Sequence, residues 1–208
     1  MKTELLSADH PSAVAHTLDV LNHGGLVVFP TDTVYGLAAL PFQAQSIERL
    51  YTVKGRSSQK AIAILLGKLA QLDQIAPTMN AMAMCLAEKF WPGPLTLVVP
   101  RNPSLPSVLT PDNTIGVRMP DHPVALDLLR QSGPLAVTSA NLSGRENTVT
   151  AQEVINQLRG RVHLILDGGH IPGGIPSTVV DCTGAEPVIL RKGPITLEEI
   201  QTVLLTES

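Results

Sequence analysis

Short apolar runs alternate along this chain with longer stretches whose apolar residues recur every three or four positions. The first long stretch, "HPSAVAHTLDVLNHGG", predicts a helix with Pro11 in its first turn, Val14, Leu18 and Leu21 on one face, and Gly24 at its end. "LVVF", residues 26–29, then reads as a strand. "AQSIERLYTV" is helical, with Ile47, Leu50 and Tyr51 on one side, and "AIAILL" is a buried strand. A helix over "TMNAMAMCLAEKFW" stops at the break "PGP", and "LTLVV" and "TIGVRM" follow as strands. "HPVALDLLRQSG" is a short helix with Pro123 in its first turn, ahead of the strand "LAVTSA". Thr150 with Glu153, and Thr196 with Glu199, have the spacing at which two side chains cap each other's backbone N–H groups, so helices are expected over "AQEVINQLRG" and "LEEIQTVLL". "HLILD", "STVVD" and "PVILR" complete the strands.

This alternation indicates an α/β fold whose sheet is flanked by helices. Strands crowd together in the final third, which predicts a twisted mixed sheet. No repeat, low-complexity tract or linker divides the chain, so residues 1–208 are expected to form a single domain with a core from about 12 to 205. The Pro-rich stretch "PRNPSLPSVLTPDNT", residues 100–114, reads as a long surface loop and a candidate lid.

Composition narrows the function classes. With 44% apolar and 16% charged residues the chain is not disordered, and with aromatics at 3% its core must be aliphatic. A net charge of -3 gives no overall attraction to nucleic acid or anionic membranes, and leaves only a local basic pocket open. Cys85 and Cys182 are too few and too far apart for a disulfide framework or a zinc site; Cys85 reads as a core thiol. No uninterrupted apolar run approaches the ~18 residues that a membrane span needs. "MKTELLSADH" carries Glu4 and Asp9 and no apolar centre, so no secretory signal is expected there, and the location expected is cytoplasmic.

The candidate chemistry sits at strand ends, where ligands gather in open α/β sheets. Six polar clusters fall there: "PTDTVYGL", "VKGR", "GVRMP", "VTSANLSG", "GIPSTVVD" and "LRKG". Each alone has an ordinary explanation, since Thr, Ser and Asn cap helices and close turns, and cations suit helix C-termini. Arg118 is harder to dismiss. In "TIGVRM" it shares a face with Thr114 and Gly116, while Ile115, Val117 and Met119 take the other; an Arg so placed pairs with a carboxylate or faces a pocket. Arg191, at the end of "PVIL", raises the same question.

Together the clusters suggest anion binding. Gly55 would let the backbone extend and direct Lys54 and Arg56 alike, and Lys60, Arg118 and Arg191 add positive charge. "TSAN" sets small hydroxyl and amide groups where backbone N–H donors could meet a phosphate. The chain has no Walker A sequence and no GxGxxG, so a nucleotide would need another cradle. It has no GxSxG elbow, no Cys beside a His and no HExxH, and His163 and His170 read as structural. Neither a covalent nucleophile nor a protein-bound metal is indicated. Catalysis by positioning and charge stabilisation remains, as in phosphoryl and nucleotidyl transfer.

In their order and spacing, "PTDTVYGL", "KGR", "VRMP", "TSANLSG", "STVVD" and "LRKG" resemble the YrdC/TsaC family of threonylcarbamoyl-AMP synthases, from about residue 12 to the end. The resemblance implies a twisted mixed sheet with a concave basic pocket. It implies an enzyme that joins L-threonine, bicarbonate and ATP into threonylcarbamoyl-AMP and pyrophosphate, whose product feeds the tRNA threonylcarbamoyl-transfer machinery for the t6A modification. Carried over by motif, Thr33, Arg118, Thr138 and Ser177 are the expected threonine contacts. Lys54 and Arg56 are the expected catalytic cations and ATP contacts, joined on the nucleotide by Lys60, Thr114, Ser139, Asn141 and Arg191. Mg2+ would arrive with ATP, held by phosphates and water. The sequence departs from the family pattern at Ser57, where Pro is usual, at Lys60–Ile62, and at Leu65, where many members have His. The short single-domain form is the one expected.

Two other functions compete. A non-catalytic RNA-binding module in RNA processing or ribosome maturation could use the same basic pocket, and weak RNA binding is compatible with either reading; the acidic net charge, the lack of basic runs and the few aromatics argue against the module. Carbamoyl transfer, as in larger hydrogenase-maturation proteins, would call for acylphosphatase-like and zinc-bearing domains that this sequence does not contain.

Overall fold

In the computed structural model, which describes residues 2–206, ten strands join in one sheet. The chain runs through β1 (Glu4–Ser7), α1 (Ala13–Asn22), β2 (Val27–Phe29), β3 (Gly36–Ala39), α2 (Ala44–Lys54), β4 (Ala63–Leu65), α3 (Leu72–Ile75), α4 (Ala81–Phe90) and β5 (Leu95–Pro100). It continues through β6 (Thr114–Arg118), α5 (Pro123–Ser132), β7 (Leu135–Ser139), α6 (Ala151–Leu158), β8 (Leu164–Asp167), β9 (Thr178–Asp181), β10 (Val188–Arg191) and α7 (Leu197–Thr206). The strand order is β1-β8-β2-β3-β7-β4-β6-β5-β9-β10. β8 lies parallel to β1 and β2, β4 to β6, and β5 to β9, and the other neighbours are antiparallel, so the sheet is mixed as expected.

Alternation along the strands sorts the core onto two faces. Val28, Leu37, Ile64, Ile115, Val117 and Ile165 point to one face, into a large aliphatic cluster that includes residues of α2, α4, α6 and α7. Val27, Phe29, Ala38, Leu65, Val137, Leu164 and Leu166 point to the other, against Ala13 and Leu21 of α1 and Ala125, Leu128 and Leu129 of α5. Ile64 is wholly buried, which is worth about 2 kcal/mol for such a side chain and helps explain how a three-residue strand holds the middle of the sheet.

One capping box forms as expected and the other in a shifted form. Thr150 Oγ1 accepts from Glu153 N–H at 3.2 Å, but Glu153 Oε2 accepts from the N–H of Val149, one residue before the cap, at 2.7 Å. Thr196 Oγ1 accepts from Glu199 N–H at 3.2 Å, and Glu199 Oε2 accepts from Thr196 N–H at 2.8 Å. No helix among the described residues is long and apolar enough to cross a membrane.

The fold differs from the pattern reading at identifiable places. β1 lies before the expected core and pairs with β8 at the sheet edge; four residues are too short to show a period. β3 is "GLAA", buried on both faces, so it lacks the apolar–polar alternation that marks a strand. Pro11 precedes α1, which begins at Ala13. The stretch 100–114 is not simply a surface loop. Leu105, Leu109 and Thr110 are buried, and the Leu109 carbonyl accepts from Ile62 N–H at 2.9 Å and from the Tyr51 hydroxyl at 3.2 Å. Its proline spacing shows a break in regular structure but not the three-residue 3-10 turn, Ser107–Leu109, that tucks these side chains under α2.

Candidate active site

Beyond α1 and α5, the second face of the sheet is not filled by helix side chains. Residues of β4, β5, β6 and β9 line a hollow there of about 360 Å³, within the range of small-ligand sites. Its floor is kept open by small residues. A Cβ on Gly116 would lie 3.1 Å from Thr96 Cγ2 and 3.5 Å from Ala63 Cβ, and one on Gly36 would lie 2.8 Å from Val137 Cγ1. Three arginines from distant segments reach this hollow: Arg56 after α2, Arg118 at the end of β6, and Arg191 at the end of β10.

Arg118 is locked in place on one wall. Its Nε donates to the Gly93 carbonyl at 2.9 Å, Nη1 to Thr33 Oγ1 at 2.9 Å, and Nη2 to Asp32 Oδ1. Burial lowers its pKa, and the Asp32 charge opposes that shift. The loop 30–35 that supplies Thr33 is itself tied down: Thr31 Oγ1 donates to the Val34 carbonyl at 2.6 Å, and Thr33 O accepts from Gly174 N–H at 2.7 Å.

Arg191 organises another part of the lining. Its Nε and Nη2 donate to the Ser177 carbonyl at 3.1 and 2.8 Å, and Nη2 also reaches Ser177 Oγ at 3.1 Å. Ser177 Oγ in turn lies 2.8 Å from Thr96 Oγ1. Burial lowers the pKa of Arg191 and, second, so does the nearby Arg56 charge. Among the described residues neither Arg56 nor Arg191 has a carboxylate partner, whereas Arg118 has one. Two uncompensated guanidinium groups close enough to repel each other attract an anion between them.

Lys54 lies behind the lining. Its Nζ donates to Ser139 O, to Ser139 Oγ at 3.2 Å and to Asn141 Oδ1 at 3.2 Å, and its own carbonyl accepts from Ser143 N–H at 2.9 Å. Lys54 thus ties the end of α2 to the segment leaving β7. Burial first, and the Arg56 charge second, pull the amine down to about 7. Arg56 stays beside the hollow, with Nε donating to Lys60 O at 3.2 Å and Nη2 to Ala61 O at 2.9 Å.

Of the residues expected from sequence, Thr33, Arg56, Arg118, Thr138, Ser139, Ser177 and Arg191 line the hollow. Lys54 supports it through Ser139, and Asn141 in turn holds Lys54. Lys60 is exposed and meets Arg56 only through its carbonyl, and Thr114, where β6 begins, is not among the lining residues. Gly55 does not extend the backbone. It closes α2 in the left-handed region at φ 60° and ψ 37°, so Lys54 turns inward while Arg56 faces the hollow. The Tyr35 hydroxyl is not at the site either: it donates to Gly169 O at 2.7 Å and accepts from Gly168 N–H at 3.2 Å. Thr31, one of the hydroxyls of the "PTDTVYGL" cluster, also lines the hollow, and Thr96 and Asn147 do so without having been singled out. Thr96 was detectable as a lone polar residue in the apolar strand "LTLVV"; Asn147, in a polar loop, carried no such signal.

Residues 19–193 match the family profile Sua5/YciO/YrdC, described as "Telomere recombination". The threonylcarbamoyl-AMP synthase of Bacillus subtilis is 40% identical over 205 residues, covering 97% of this chain and 59% of that protein. The chain therefore spans about three fifths of the length of the first curated relatives it matches. The crystal structure of Pyrococcus abyssi Sua5 complexed with L-threonine superimposes with a TM-score of 0.92 at 37% identity, over 98% of this chain and 61% of that one. Escherichia coli YciO gives a TM-score of 0.85 at 27% identity, over 96% of this chain and 98% of that one. On sequence and on fold, the chain belongs to the Sua5/YciO/YrdC family.

Proposed function

We propose that this chain is a threonylcarbamoyl-AMP synthase, acting as a nucleotidyltransferase in the cytoplasm within one domain, 1–208. The observation that carries the reading is the convergence of Arg56, Arg118 and Arg191 on one hollow beside the hydroxyls of Thr33, Thr138 and Ser177. The names of the relatives, and the L-threonine bound to the Pyrococcus protein, agree with it.

In this reading the amine of L-threonine adds to CO2 drawn from bicarbonate, forming a carbamate and releasing a proton. A carbamate oxygen then attacks the α-phosphorus of ATP, the bond to the bridging oxygen breaks, and pyrophosphate leaves. Arg118 holds the threonine carboxylate, with Thr33, Thr138 and Ser177 around the rest of the amino acid. Arg56 and Arg191 bind the phosphates and stabilise charge on the departing group, and Ser139 positions the nucleotide. Lys54 and Asn141 add charge and support from behind Ser139, while Lys60 and Thr114 reach the nucleotide at the rim. Mg2+ enters with ATP, on its phosphates. The tRNA threonylcarbamoyl-transfer machinery consumes the product.

The test is pyrophosphate release from ATP and bicarbonate with and without L-threonine, together with mass detection of the adenylate. Release that depends on L-threonine is expected. No release, alongside salt-sensitive RNA binding, would point to the RNA-binding module instead.

A further inference from the structure

Thr31, Thr33 and Arg118 are joined by hydrogen bonds whose direction can be worked out. The Thr31 hydroxyl has one proton, and it lies on the Val34 carbonyl 2.6 Å away, an atom that can only accept. The contact of 3.1 Å between Thr31 Oγ1 and Thr33 Oγ1 is therefore made with the Thr33 proton. Thr31 Oγ1 is also approached by the backbone N–H groups of Thr33 at 3.2 Å and Val34 at 3.3 Å, at the long end for N–H···O bonds, so three donors share its two lone pairs. Thr33 Oγ1 meanwhile accepts from Arg118 Nη1 at 2.9 Å. With its proton on Thr31 and one lone pair on Arg118, Thr33 has a single lone pair left, and both threonines line the hollow.

We propose that Thr31 is a positioning residue that turns Thr33 into an acceptor-only hydroxyl, so that the site selects a ligand bearing an N–H next to its carboxylate. This rests on the function proposed above, in which Arg118 takes the ligand carboxylate. Because Arg118 Nη1 and Thr33 Oγ1 touch, the ligand group beside Thr33 is the substituent next to the carboxylate, the α-amine. An amine whose N–H points at Thr33 keeps its nitrogen lone pair free for CO2. A Thr33 that donated would engage that lone pair and block the attack.

The experiment is calorimetric binding of L-threonine, in the presence of a non-hydrolysable ATP analogue, to wild type, Thr31→Val and Thr31→Ser. Loss of one hydrogen bond to the amine predicts about 10-fold weaker L-threonine binding in Thr31→Val. Binding of the ATP analogue should not change, and Thr31→Ser, which keeps the hydroxyl, should stay within about 2-fold of wild type. Thr31→Val also removes bonds that shape the loop. A comparison on the wild-type protein therefore stands beside it: 2,3-dihydroxybutyrate, whose α-hydroxyl can donate, should bind more tightly than 3-hydroxy-2-methoxybutyrate, whose α-oxygen can only accept. Equal L-threonine binding by wild type and Thr31→Val, or equal binding of the two hydroxy acids, overturns the inference. A wild-type protein that binds no L-threonine at all would instead remove the function it rests on.

Discussion

The Asp32 carboxylate pairs with the Arg118 guanidinium inside the wall of the hollow, where the two side chains are only 14% and 6% exposed. Removing one partner of such a pair leaves a buried charge without compensation. Arg118→Ala should therefore destabilise the fold by about 3–5 kcal/mol. Asp32→Ala with Arg118→Ala should cost less than the sum of the single changes. Urea unfolding of the four proteins measures the coupling, and additive losses would contradict it. In kinetics, Arg118→Ala should raise the L-threonine requirement far more than the ATP requirement.

Lys54 makes stability depend on pH. Its amine is pulled from 10.5 in the unfolded chain to about 7 in the folded one. Between these values the unfolded state binds the extra proton, so stability rises as pH rises through that window. Below about 7 the amine is charged in both states and the burial penalty is fully present. The total gain is of order a few kcal/mol. Lys54→Met should remove this slope while leaving Ser139 O and Asn141 Oδ1 without their donor. Unfolding free energies measured from about pH 6 to 10 would decide; an unchanged slope in the variant would exclude Lys54 as its source. Lys54→Ala should also slow turnover, because Ser139 loses its tether.

Gly116 separates binding from folding. It sits in β6 on the face shared with Arg118, and its missing side chain leaves the floor of the hollow open between Thr96 and Ala63. Valine suits a strand better than glycine, by up to about 1 kcal/mol. Its methyl groups would project into the space that the ligand needs. Because even its Cβ would lie 3.1 Å from Thr96 Cγ2, Gly116→Val is expected to fold with a modestly lowered melting temperature and to lose nucleotide and L-threonine binding. Loss of folding together with binding would mean that the floor tolerates no side chain.

How far the sequence carried the fold and site follows from what each signal measures. Periodicity and capping boxes mark elements with one wet face, so α1, α5, α6 and α7 were readable, and so were the longer strands. β3 and β1 were not: one is buried on both faces and the other is four residues long. At the site, parity along "TIGVRM" placed Arg118 on the face of Gly116, and the structure keeps it there. Lys54 and Arg56 show the limit of reading from spacing. One glycine between them was compatible with parallel side chains, but a helix that ends at Lys54 makes Gly55 a left-handed cap and sends the two cations apart. The tertiary contact of Asp32 with Arg118 could not be read from the local sequence at all.

Arg56 and Arg191 face the same hollow, yet they should fail differently. Arg191 holds the Ser177 carbonyl with two N–H groups and reaches Ser177 Oγ with one of them. Ser177 belongs to the proposed threonine contacts, so Arg191→Ala should weaken both L-threonine and ATP. Arg56 bonds only the carbonyls of Lys60 and Ala61, on the rim, and touches no proposed threonine contact. Arg56→Ala should therefore leave the half-saturating L-threonine concentration near wild type. Turnover should fall about 10²-fold, the loss typical when one preorganised charge donor is withdrawn from a transition state. Steady-state rates with each substrate varied at saturating levels of the others test the contrast. If Arg56→Ala raised the L-threonine requirement as much as Arg191→Ala, the assignment of separate roles to the two arginines would be wrong.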